Sequence, residues 1–255
     1  EQAEEARPVL DALSVLEAGE RSIELAPLDA AARELLARRQ LEARGADASL
    51  AGRIARESGG SPFWVEQLAA FAAATGRLDV GLAELVTSRA SALPEGTRRL
   101  LELVCIAGGP VEQELVQGAA RLGDGGLAAL LKLRAEGLVR TRGARRIHAV
   151  EPQHDRVREA VTDALSAERL CEHHLALAEH AERAGSGEPR FLALHFHAAG
   201  RREQALRYAV LAAEQAERGL AFEQAAALYE LALECTEGAA PERLDLERRA
   251  GDALA

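Results

Sequence analysis

Every pattern between residue 167 and the end of the chain predicts α-helix. Small or aromatic residues recur there at positions i, i+4 and i+7 in two blocks, which are Ala205, Ala209 and Ala212, then Ala225, Tyr229 and Ala232. Such residues on one helix face let neighbouring helices approach closely and stack. Glycine-containing breaks separate the helices at 185–189, 200, 219 and 238–241. We therefore expect a stack of helical hairpins over residues 166–255.

The middle of the chain combines helices with one predicted β-hairpin. Alternating residues over 137–142 and 145–150 flank a Gly143-Ala144 turn, which is the pattern of two short antiparallel strands. Helix patterns surround them over 95–107, 111–121, 124–136 and 153–165. Three helices followed by a hairpin is the order of a winged helix, so we expect this fold over residues 91–165.

The first 90 residues predict a helical bundle with one short strand. A helix is predicted over 1–18 and a strand over 21–25. Asp29 is suited to cap the next helix, and Pro62 suits a first helical position, where its missing N–H costs nothing. A further helix is predicted near 80–91. The fold class predicted for the whole chain is therefore mostly α.

The composition restricts the cellular location and the classes of binding partner that we expect. The sequence contains no run of about 18 apolar residues, the length that a membrane-spanning helix needs. It also does not open with the basic segment and apolar segment of a signal peptide. The net charge of −10 disfavours a general nucleic-acid binder. The widely spaced Cys105, Cys171 and Cys235 are expected to be buried free thiols, as in a reducing cytoplasm. We therefore expect a cytoplasmic protein, and its composition is typical of a GC-rich bacterial gene.

The sequence shows no catalytic residues and no metal site. A P-loop needs a lysine after a glycine-rich turn and a protein kinase needs one on a strand, whereas the only lysine, Lys132, lies in a helical stretch. No two of the seven histidines are four residues apart, the spacing that suits a helical metal site. His154 and Asp155 lack a nucleophile signature, so they predict a hydrogen bond at a helix start.

Two short segments are candidate binding sites. Gly60, Ser61 and Pro62 form a turn that leads into a helix N-terminus, where a ligand can approach backbone amides. Arginines cluster on and just before the predicted wing, where they could contact DNA phosphates, at Arg134, Arg140, Arg142, Arg145 and Arg146. The alternative for these arginines is a solvated hairpin or pairing with an acidic neighbour.

Residues 57–68, Glu-Ser-Gly-Gly-Ser-Pro-Phe-Trp-Val-Glu-Gln-Leu, resemble the lid segment of STAND-type ATPases, which are signal-transducing relatives of AAA+ proteins. In that family a Gly-x-Pro motif opens a lid helix, and its proline packs on the adenine of bound ATP or ADP. Gly60, Ser61 and Pro62 match this motif. Residues 23–28 resemble the last strand and exit of the family's nucleotide-binding domain. Residues 154–161 and 220–233 resemble the segment after the winged helix and the repeats of large bacterial members.

The resemblance implies three regions: the end of the ATPase core with its helical lid over 1–90, a winged helix over 91–165, and tetratricopeptide-like hairpins over 166–255. The two repeat blocks lie 20 residues apart (205 to 225), not the about 34 of a regular tetratricopeptide unit, so an irregular register is expected. Large bacterial members often carry a Ser/Thr protein kinase or a DNA-binding effector domain.

The residues that bind nucleotide phosphates in this family are missing from the sequence. They are the P-loop, the acidic strand that coordinates Mg²⁺ and a sensing arginine, and all are expected upstream. ATP or ADP with Mg²⁺ is therefore implied for a longer protein, and no cofactor for this chain alone. The chain has no methionine, and both ends read as helix interior. We expect a truncated part of a longer protein; N-terminal processing is the alternative.

Three functions follow as hypotheses. The first is a regulatory and sensor part of an ATP-dependent signal-transduction switch, whose partners are the upstream nucleotide-binding domain and a protein or small-molecule inducer at the helical repeats. The second is a DNA-binding winged helix, with helix 124–136 in the groove and the arginine wing on phosphate. The third is a helical-repeat scaffold for protein interactions. None involves a membrane.

Overall fold

The computed structural model describes residues 26–77, 81–142, 149–236 and 241–254. The predicted helix over 1–18 and the predicted strand over 21–25 lie outside these ranges. The described chain is mostly helical with one small antiparallel sheet, so the predicted fold class is confirmed. It forms two compact units that divide between residues 80 and 81.

The first unit contains three α-helices and a short 3₁₀ turn in its described part. They are α1 (Ala30–Glu42), the turn Ala48–Leu50, α2 (Ala51–Glu57) and α3 (Pro62–Thr75). The Asp29 carboxylate accepts a hydrogen bond from Ala32 N at 2.7 Å, which confirms the predicted N-cap. Trp64 and Leu68 of α3 are buried against this small core. Helix α3 ends at Gly76, whose φ of 64° is left-handed.

The second unit begins with an arrangement of helices around a three-stranded sheet. Its elements are α4 (Leu82–Ala92), α5 (Glu95–Ile106), β1 (Val111–Glu112), α6 (Gln113–Ala119), α7 (Gly126–Ala135), β2 (Val139–Arg142), β3 (Ala149–Pro152) and α8 (Asp155–Asp163). The strand order is β1-β3-β2, with both pairs antiparallel. Helix, strand, two helices and a hairpin is the order of elements in a winged helix.

Three details differ from the sequence prediction. Val111 and Glu112 form strand β1, because Val111 pairs with Val150, so the predicted helix begins two residues later. The second strand of the hairpin is Ala149–Pro152, later than the predicted 145–150; residues 143–148 lie outside the described part. Helix α4, predicted with the first 90 residues, packs against α8 within the second unit.

The rest of the second unit is an all-helical stack. It consists of α9 (Ala167–Ala184), α10 (Pro189–Ala198), α11 (Arg202–Arg218), α12 (Phe222–Cys235) and α13 (Pro241–Leu254), each packed against the next. The six residues of the two repeat blocks are all buried, as the stacking pattern requires: Ala205, Ala209, Ala212, Ala225, Tyr229 and Ala232. The small side chains therefore form the contact surfaces between consecutive helices.

Candidate functional site

The Gly60-Ser61-Pro62 turn connects α2 to α3. Gly59 and Gly60 have φ values of 59° and 95°, which only glycine adopts without strain. Ser61 is the N-cap of α3, and its Oγ accepts a hydrogen bond from Trp64 N at 3.5 Å. Pro62 is the first residue of the helix. The local structure is therefore the tight turn and helix start that the sequence predicts.

The same turn packs against the segment that precedes α1. Leu28 N donates a hydrogen bond to Gly60 O at 3.0 Å. A Cβ on Gly60 would lie 2.7 Å from Pro27 Cβ, so only glycine leaves room for Pro27. Two segments distant in sequence, both part of the family resemblance, are thus in direct contact.

An exposed apolar surface lies beside this turn. Pro62 is exposed, and Phe63 keeps 37% of its surface in solvent while its ring meets the buried Trp64 edge-on at 5.0 Å. The N-terminus of a 14-residue helix also carries a partial positive charge. The site can therefore offer a flat apolar contact to a planar ring. The first unit contains no lysine to bind a triphosphate.

The wing arginines are held within their own sheet. Arg140 Nε and Arg142 Nε lie 2.6 and 2.5 Å from the same Glu151 oxygen. The distances are those of ion pairs, although the angles do not make directed hydrogen bonds. Residues 145 and 146 lie outside the described part. Glu151 is buried, so it neutralises much of the charge that a DNA phosphate would meet.

Helix α7 corresponds to the predicted helix 124–136, which the DNA-binding hypothesis places in the groove. Its outer face carries Leu127 and Leu131, which are 62% and 52% exposed and one helical turn apart. Leucine offers no hydrogen bond to a base edge, whereas DNA-reading helices present arginine, lysine, asparagine or glutamine. Lys132 and Arg134 are also exposed on α7. The leucines make this face better suited to contact with protein than with DNA.

A buried carboxylate joins the winged-helix elements to the helical stack. Glu102 of α5 accepts hydrogen bonds from His173 Nε2 at 2.6 Å and from Arg169 Nε at 2.9 Å, both on α9. Arg169 also reaches Glu95 at 2.9 Å. Burial raises the pKa of Glu102, but the hydrogen bonds from His173 and Arg169 outweigh it, and the pKa is lowered. Glu102 therefore stays ionised and fixes α9 against α5.

A second polar contact lies between α9 and α10. His174 Nδ1 and His195 Nδ1 are 2.8 Å apart, so one ring donates and the other accepts. Phe191 packs on His195 with ring centroids 4.1 Å apart. The pKa of His195 is lowered to about 3, mainly by burial and also by the charge of nearby His174, while a hydrogen bond to the Ala107 backbone partly opposes the shift. This histidine is therefore neutral at physiological pH.

The other histidines and cysteines add no metal site in the part of the chain that the structure describes. Within the described ranges, no group of three or more potential ligand side chains could hold a metal ion. His154 caps α8 by accepting a hydrogen bond from Arg156 N at 3.2 Å, as the sequence predicts. Cys105 and Cys235 are buried, but Cys171 is exposed, so its predicted burial is wrong. The Cys171 thiol contacts Ala199 O at 3.5 Å, so one side of this exposed residue meets the end of α10.

Sequence reasoning missed the Glu102 cluster and the paired histidines. Glu102 interrupts the apolar run from Leu100 to Ile106, and this is the signal that could have found it. The contact between His174 and His195 joins two helices, so no spacing within one helix reveals it.

Comparison with protein-family models, with curated proteins and with solved structures found no match for this chain. No helix in the described part of the chain is both long and apolar enough to cross a membrane.

Gly60→Ala is expected to lower the free energy of unfolding of the first unit by about 2 kcal/mol or more, because the residue has a positive φ and faces Pro27. Gly76→Ala is the matched control, since it has a positive φ but open space around a Cβ, and should cost about 1 kcal/mol. Urea unfolding followed by the fluorescence of Trp64, the only tryptophan, measures both. The contact between Gly60 and Pro27 would be refuted if Gly60→Ala and Gly76→Ala lowered the free energy of unfolding equally. It would also be refuted if Pro27→Gly did not reduce the additional cost of Gly60→Ala.

The buried His195 should make the second unit sensitive to acid. Because its pKa is lowered from 6.5 to about 3, the unfolded chain binds a proton that the folded chain does not. Its contribution is full above pH 6.5 and is lost as pH falls towards 3, by about 1 kcal/mol per pH unit. Between about pH 7 and about pH 4.5, the free energy of unfolding of the wild type should fall more steeply with decreasing pH than that of His195→Phe. Parallel curves would show that His195 does not titrate as proposed.

Proposed function

We propose that this chain is the regulatory and sensor part of a STAND-type, ATP-dependent signal-transduction switch in the cytoplasm. It would supply the helical lid, the winged helix and the sensor repeats, and no catalytic residues. The observation that carries the proposal is the contact between Pro27-Leu28 and Gly60. Pro27 and Leu28 belong to the segment that resembles the exit of the nucleotide-binding domain, and Gly60 belongs to the segment that resembles the lid, so their contact supports the proposal.

In this proposal, the residues of this chain contact the base of a nucleotide and not its phosphates. Pro62 is exposed at the start of α3 and can pack on an adenine ring, while Gly60 allows the turn to hold Pro27 in place. When bound, the nucleotide would supply the free energy difference that favours one arrangement of the switch. Its phosphates and Mg²⁺ would be held by residues of the longer protein, since the only lysine is Lys132 in the second unit.

The outer face of α7 supports a switch over a DNA reader. Leu127 and Leu131 form an exposed apolar pair, and such a pair is suited to packing against a protein surface of the upstream nucleotide-binding domain. The Glu151 carboxylate meanwhile forms ion pairs with Arg140 and Arg142. In this proposal the winged helix docks on protein in the inactive state and is released in the active one.

The Glu102 cluster would pass a signal between the repeats and the winged helix. Both lie in one compact unit, and Glu102 contacts α9 through His173 and Arg169. A partner that shifts the repeats therefore also shifts α5. Such coupling is reciprocal, so the repeat ligand and the nucleotide should each change the affinity of the other.

Nucleotide binding tests the proposal directly. Calorimetry with ADP and ATP on a longer protein that includes the preceding segment should show binding, and this chain alone should show none. Pro62→Ala in the longer protein should weaken binding about fivefold, because an apolar contact worth about 1 kcal/mol is lost.

Pro189→Ala is the matched control, since Pro189 also begins a helix but lies in the second unit. It should leave nucleotide affinity unchanged. The proposal fails if the longer protein binds no nucleotide, or if Pro62→Ala and Pro189→Ala have the same affinity as the wild type.

A further inference from the structure

A groove runs between α10 and α12 in the helical stack. Its volume is about 490 Å³, and it is open to solvent. Apolar side chains line it, among them Leu194 of α10, which is 47% exposed, and Leu228 and Leu231 of α12. An exposed leucine in a groove is an available contact for another apolar group.

Acidic side chains dominate the charge of this groove. Glu223, Glu230 and Glu234 line it from α12, against the single Arg190 from α10. Glu234 Oε2 lies 3.4 Å from His197 Nε2. Within the described ranges, neither Glu223 nor Glu230 has an ion-pair partner. The groove therefore combines an apolar floor with two unpaired negative charges.

We infer that this groove binds a protein segment that carries both aliphatic and basic side chains. The inference deepens the sensor role of the repeats and rests on that proposed function, because it names the chemistry of the partner. Charge complementarity carries it: positive side chains meet Glu223 and Glu230 while aliphatic ones cover Leu194 and Leu231.

The spacing of the two glutamates sets the spacing of the partner's charges. Glu223 and Glu230 are seven residues apart, which is two helical turns or about 10 Å along α12. A helical partner matches this with basic residues at i and i+7, and an extended partner approaches it with same-face residues at i and i+2 or i and i+4, about 7 or 13 Å apart. Both can place a leucine between the charges, over the apolar floor.

Fluorescence anisotropy with designed peptides tests the inference on this 255-residue chain. The probe is a labelled 15-residue peptide (about four helical turns) of leucine and arginine with basic residues at i and i+7. A helix with glutamate in place of arginine and one with serine in place of leucine complete the set. Of the three helical peptides, only the leucine–arginine peptide should bind well. A leucine–arginine peptide designed for the extended conformation is measured alongside them.

Two groove variants and one control identify the site. Glu223→Gln/Glu230→Gln should weaken binding at least about fivefold, since two exposed ion pairs are lost. Leu194→Ser should also weaken peptide binding, because it removes an apolar contact from the floor of the groove. The control, Glu172→Gln/Glu179→Gln, removes two exposed charges with the same seven-residue spacing on α9 and should bind like the wild type.

The results separate the possible explanations. Equal loss of affinity in the control double variant would mean general attraction to an acidic protein and would overturn the inference. So would the absence of binding, equal binding of the glutamate peptide, or groove variants that change only the oligomeric state, which would make a second copy the occupant. No nucleotide is present in the assay, so its failure leaves the nucleotide proposal intact, and failure of nucleotide binding leaves this result intact.

Discussion

The second unit depends on one buried carboxylate. Glu102 lies in the most apolar part of α5, where an unpaired charge would be costly, and three donors from α9 compensate for its loss of water: His173 Nε2 and two nitrogens of Arg169. Within α5 itself, Arg98 Nε approaches Glu102 only to 3.9 Å. The closest compensating groups all come from α9, so the carboxylate is fully compensated only when α9 is in place. Helix α5 and the helical stack are thereby tied together, within a single compact unit that begins at residue 81.

The first unit depends on a steric constraint instead. Gly60 has a positive φ and touches Pro27, so the turn before α3 holds the preceding segment through backbone and Cα atoms. Pro62 and Phe63 are exposed beside this turn. They form an apolar edge at the N-terminus of α3.

Local sequence signals predicted most of the fold, because they act within a few residues. Asp29 and Pro62 begin helices, and the alanine spacing of the repeats predicted which faces are buried. Signals between distant residues were not accessible. Strand β1 exists only because Val111 meets Val150, and Arg140 and Arg142 share the single negative charge of Glu151 on the neighbouring strand. The Gly60-Ser61-Pro62 turn was predicted from its motif, whereas the acidic groove needed α10 and α12 close together.

The account requires that Glu102 and His173 act as a pair across two parts of the second unit. A double-mutant cycle with Glu102→Leu and His173→Leu, measured by urea unfolding, tests this most directly. Each single variant leaves a buried polar partner and should cost about 2 kcal/mol or more, while the double variant should cost clearly less than the sum, with a coupling of about 1–3 kcal/mol. Additive losses within about 0.5 kcal/mol would contradict the account, because Glu102 and His173 would then not stabilise the second unit as a pair.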